Sequence, residues 1–238
     1  MRGLKDWTPF LLKESGLPGP RGNLELAQAA AQEADADQIK AFLSIPAEQA
    51  PENTARVFVV FCGVLALGKL LAAGDRTQLS RLRGYASDPR WRIREAVAMA
   101  LQTLGDEGMR SLLSEMRLWS AGNWYEKRAA AAALAEPRLL GTAATAGAVL
   151  KILDRITASM VAARDRGSES FKTLRQGMGY CWSVAVAALP DAGKPLFEKW
   201  LRSADPDVRW MLRENLRKNR LVKMDPTWVK ACLARLGS

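Results

Sequence analysis

Asp88-Pro89-Arg90-Trp91-Arg92-Ile93-Arg94-Glu95-Ala96 is the stretch on which the fold turns. An acidic residue followed by proline suits a helix start. The carboxylate accepts amide hydrogens that lack a partner in the first turn, and proline removes one such hydrogen. The same punctuation returns as Asp205-Pro206 and Asp225-Pro226. Asn123 stands at a comparable start before Trp124, and a weaker one falls at Ser168 to Ser170, after the turn Arg164-Asp165-Arg166-Gly167. Starts at 88, 123, 170 and 205 are 35, 47 and 35 residues apart. Steps of that size fit units of two helices stacked in series. The units also share a texture, an aromatic residue three before an arginine and then small or polar residues. It is seen in Trp91 to Ala96, Tyr125-Glu126-Lys127-Arg128-Ala129-Ala130 and Trp210-Met211-Leu212-Arg213-Glu214-Asn215.

Outward from these starts the chain keeps a helical period. Apolar residues recur at steps of three and four in Ala129 to Leu134, in Val149-Leu150-Ile152-Leu153-Ile156 and in Leu196-Phe197-Trp200-Leu201. Strand patterns are almost absent, so the expected class is all-α, with roughly a dozen helices. The Gly/Pro loop Ser15 to Asn23 separates an N-terminal arm, residues 1–23, from one repeat domain over 24–238. Breaks at Pro46 and Pro51 follow, and Gly74-Asp75 ends the most apolar run, Val57 to Gly68. Twelve residues between Arg56 and Lys69 are too few to span a bilayer, so a buried helix is expected and no membrane partner. Met1 to Trp7 lacks the apolar segment of a secretory leader, which points to a cytoplasmic protein.

Composition narrows the chemistry. The 238 residues include 35 Lys+Arg, 25 Asp+Glu and no histidine. Histidine-based acid/base catalysis, histidine nucleophile pairs and histidine metal ligands are thereby excluded. Cys62, Cys181 and Cys232 are far apart and form no C-x-x-C, so neither a metal site, nor a cofactor, nor a disulfide framework is expected. Gly177-Met178-Gly179 has no strand before it, and Gly193-Lys194-Pro195 lacks the phosphate-loop spacing. The net charge of +10 favours an anionic partner. It is unevenly placed: residues 1–78 hold 8 basic and 9 acidic side chains, residues 79–238 hold 27 and 16.

Within that basic portion, Arg209, Arg213, Arg217 and Arg220 would fall in an arc of about 80° on a helix over 206–221, a stripe suited to phosphates. Arg90 and Arg94 form a smaller set, with Lys127 and Arg128 between the two in repeat order. The eight tryptophans allow an aromatic platform at Trp124, Trp182 and Trp210, or wedges between helices.

Trp119-Ser120-Ala121-Gly122-Asn123-Trp124-Tyr125-Glu126-Lys127-Arg128-Ala129 resembles a segment of the HEAT-like repeat DNA glycosylases that remove alkylated purines. Trp210 to Glu214 and Asp225-Pro226-Thr227-Trp228-Val229-Lys230 resemble two further motifs of that family. The resemblance implies a right-handed α-solenoid of antiparallel helix pairs whose basic concave face grips duplex DNA. It also implies a phosphate contact by Arg128 and a lesion cleft lined by Trp210. The family's catalytic aspartate, four residues after a tryptophan, has no counterpart: Trp182 is followed at that distance by Val186. The leading expectation is therefore a non-catalytic protein that binds DNA or another polyanion. A DNA-repair glycosylase and a protein–protein scaffold stand as alternatives.

Overall fold

The computed structural model describes residues 6–237; residues 1–5, part of the stretch read for a leader, lie outside the described residues. The described residues are all-helical, with fourteen α-helices, two short 3-10 turns and no strand. They fall into two compact units, Met1–Glu107 and Gly108–Ser238, where the sequence suggested an arm and one repeat domain.

The first unit comprises α1 (Thr8–Glu14), α2 (Leu24–Glu33), α3 (Ala36–Leu43), α4 (Ala55–Ala72), α5 (Gln78–Ala86) and α6 (Trp91–Glu107). Its centre is α4, against which α1, α2, α3, α5 and above all α6 pack. The apolar run lengthens to 18 residues in the fold, long and apolar enough to cross a membrane by length and composition alone. Thirteen of those residues are buried inside the unit, so α4 serves as its core helix. Its close contact with α6 depends on Gly68, where an added Cβ would sit 2.6 Å from the Ala100 backbone. The supposed arm is tied in as well, because Trp7 and Leu11 are buried and α1 lies on α4.

The second unit is a series of pairs: α7 (Met109–Trp119) with α8 (Trp124–Leu134), and α9 (Ala143–Val161) with α10 (Glu169–Ala188). They continue with α11 (Pro190–Trp200) and α12 (Pro206–Leu216), then α13 (Asn219–Met224) and α14 (Pro226–Gly237). The first helices α7, α9 and α11 pack in succession, as do the second helices α8, α10, α12 and α14. Local chemistry sets the starts. Asn123, Ser168 and Asp205 accept amide hydrogens from Glu126, Phe171 and Val208, and Asp225 does so from Trp228. Asn215, fully buried, joins α12 to α10 by accepting from the Ser183 amide and donating to the Met178 carbonyl.

Two helix expectations need correction. α6 begins at Trp91 and not after Asp88; the Asp88 carboxylate accepts the Arg90 amide, two residues on, and also the Arg90 guanidinium. The basic helix expected over 206–221 stops at Leu216 and resumes as α13 at Asn219. Arg217 and Arg220 therefore do not continue the row that Arg209 and Arg213 begin.

Candidate polyanion-binding face

Charge divides with the units. Residues up to Glu107 carry 13 basic and 13 acidic side chains, and residues from Gly108 onward carry 22 and 12. The entire excess of +10 thus belongs to the second unit.

On that unit the second helices build a continuous strip. The aliphatic stem of Arg128, on α8, lies against Gly177 of α10, with 3.3 Å between its Cγ and the place a Cβ would occupy. One turn on, the exposed Tyr180 ring lies 4.7 Å beneath the Arg220 guanidinium, which also donates to the Tyr180 hydroxyl. Arg217 is exposed and paired with Glu214, whose Cβ faces Gly179. Gly177 and Gly179 let neighbours pack closely on α10: the Arg128 stem lies on Gly177, and Trp210 and Glu214 of α12 cover the buried Gly179.

The other arginines singled out by spacing are engaged internally. Arg90 is buried, forked onto Asp88 and bonded to the Ala50 carbonyl. Arg94 is buried too and donates to the Asp88 and Pro89 carbonyls, which closes the α5–α6 turn. Arg209 and Arg213 both donate to the Leu236 carbonyl at the end of α14, where cations offset the negative end of a helix. These four hold structure, a role that helical spacing alone does not distinguish from ligand binding.

The tryptophans likewise separate by burial. Trp182 is fully enclosed, donating to the Thr157 hydroxyl and meeting Phe197 edge to face, so it is a core wedge and not a platform. Trp210 is half-buried, and one face is covered by the Arg175 guanidinium at 3.9 Å. Trp124 stays at the surface of a cleft lined by Asn123, Lys127, Asp165 and Ser170. Its indole donates to both Asp165 oxygens, and the Lys127 ammonium stands 4.2 Å above its ring. Partial burial lowers the Lys127 pKa, opposed by the neighbouring Asp165 and Glu126 charges.

One ion-pair group escaped the sequence reading. Arg166, in the α9–α10 loop, binds Asp205 at 2.5 Å and Asp207 at 2.7 Å, and donates to the Val161 carbonyl at the end of α9. Arg175 approaches Asp207 from α10 at 2.8 Å. Burial pushes the Asp205 carboxyl up, but Arg166 and the Val208 amide outweigh it and leave the pKa below its ordinary value. The signal in the sequence was the Asp-x-Asp start of α12, Asp205-Pro206-Asp207.

A family model of HEAT repeats matches residues 63–135, a span running from α4 through α8. Comparison with curated proteins finds no match. The match is to the repeat itself and not to the glycosylases that the tryptophan and arginine motifs resemble. Helix pairs of this kind serve as binding or scaffold surfaces, since each exposes one helix layer while burying the other faces against its neighbours. The match makes the helices within 63–135 HEAT-like, and the paired all-helical architecture of the remainder is consistent with an α-solenoid.

Proposed function

We propose that the Gly108–Ser238 unit is a non-catalytic nucleic-acid-binding module that holds duplex DNA by its phosphate backbone. The observation that carries this reading is the α10 strip, Gly177 to Tyr180, overlooked by Arg128 on one side and Arg217 and Arg220 on the other. Arginines neutralise phosphates and release counterions, which gives affinity with little sequence preference. The exposed Tyr180, stacked under Arg220, adds an aromatic hydroxyl to the same surface. Lys127, over Trp124, extends the positive surface along α8.

Fluorescence anisotropy with a labelled duplex tests this. Affinity falls steeply as salt rises, and Arg217→Ala with Arg220→Ala weakens it uniformly across sequences, lowering the salt slope by about one per lost contact. Absence of salt-sensitive DNA binding at low ionic strength overturns the reading. An acidic protein captured instead, with DNA inert, would assign the face to a scaffold role.

A second reading, excision of an alkylated base, has one observation in its favour. Asp165 brings a carboxylate into the cleft beside Trp124 and Lys127, although no aspartate follows a tryptophan by four residues. Incubation with alkylated duplex decides it: released base that disappears in Asp165→Asn supports excision, and none removes it.

A further inference from the structure

We infer that a second anion site, separate from the α10 strip, lies between α7 and α9 and takes a terminal phosphate group of a small molecule. Arg117 from α7 and Lys151 and Arg155 from α9 surround a half-open cleft of about 370 Å³. Its floor is Ala144, Gly147, Ala148 and Ile152, small or apolar side chains that leave room above the start of α9. All three cations are exposed, and none has an ion pair, hydrogen-bonded side-chain partner or ring contact among the described residues. The carboxylate nearest in sequence, Asp154, is turned to α11, where Lys199 and the Trp200 indole occupy both its oxygens.

Three positive groups around one concavity repel each other. Lys151 and Arg155, four apart on one helix, do so as neighbours on the same face. Other cations of this unit do have acidic partners, as Arg166 has Asp205 and Asp207 and Lys194 has Asp225. A bound anion supplies what is missing here. The number of cations favours a dianionic terminal phosphate over a backbone diester, which carries one charge and is substituted on both sides. The guanidinium forks of Arg117 and Arg155 suit its tetrahedral oxygens, with Lys151 as a point charge. The cleft is large enough for a small phosphorylated molecule.

Isothermal titration of the full chain with pyrophosphate, and separately with inorganic phosphate, tests the site. Pyrophosphate binds the parent protein, binds at least tenfold more weakly to Lys151→Ala/Arg155→Ala and to Arg117→Ala, and binds normally to Arg202→Ala/Lys230→Ala. The substituted side chains are exposed, and an unchanged melting temperature verifies that the variants fold. Failure of both anions to bind at millimolar concentration overturns the proposal, as does equal weakening in the Arg202/Lys230 control. Duplex affinity stays within twofold of the parent in Lys151→Ala/Arg155→Ala. A parallel loss of DNA binding would overturn the separate site and make the cleft part of the DNA surface. Loss of DNA binding by the parent protein alone leaves the pyrophosphate result to stand independently.

Discussion

Asp205 does two things at once, and the two can be separated. It caps α12 through the Asp207 and Val208 amides, and it receives the Arg166 guanidinium that ties the α9–α10 loop to α12. Asn keeps the cap but cannot ionise. The Asp205 pKa lies below its ordinary value of 3.8 in the folded protein. Its contribution is therefore fully present above that value and is lost as pH falls through the lower folded pKa. The melting temperature of the parent should drop on acidification from about pH 5 to about pH 3, and Asp205→Asn should show a shallower drop from a lower starting point. Equal pH slopes would mean that the pair contributes nothing. At this scale the sequence made the caps legible, because Asn123, Ser168 and Asp205 act on amides two or three residues away. It did not reveal that Asp88 would turn to Arg90, or that Asp165 would meet Trp124 across 41 residues.

Helix against helix, the close approaches decide what can be changed. Gly68 allows α4 to lie directly on the Ala100 backbone of α6, and neither main chain can retreat as a flexible side chain could. Gly68→Ala gains slightly in helix propensity but overpacks that crossing, for a net loss of about 1–3 kcal/mol. Chemical denaturation followed by far-ultraviolet circular dichroism measures it, and an unchanged midpoint would show that the pair can slide apart. The basic stripe illustrates the opposite limit of sequence reading. Arg209, Arg213, Arg217 and Arg220 share an arc only while one helix runs through them, and α12 ends at Leu216. Nothing in that stretch announces the break, for neither glycine nor proline stands between Leu216 and Asn219. The preceding arginines then reach the end of α14, a helix distant in sequence.

Across the whole chain the charge separates with the units, neutral before Gly108 and +10 after it. Nucleic-acid binding that follows this division should ignore cations of the first unit. Lys40→Ala with Arg56→Ala, both exposed, should leave duplex affinity within about twofold, while Arg217→Ala with Arg220→Ala lowers it several-fold at the same ionic strength. Equal effects from the two pairs would place the surface elsewhere. The sequence by itself determined the helical class, the paired repeats, most helix starts and the sign of the charge. Those follow from periodicity and from contacts within a turn, which neighbours in the chain specify. Only the tertiary structure decided which arginines face solvent and which hold the chain together. It alone buried Trp182 and left Trp124 at a cleft, and it alone brought Arg117 to Lys151 and Arg155. Each of those outcomes depends on what a different helix places opposite the side chain, and burial and ion pairing are properties of that opposing surface.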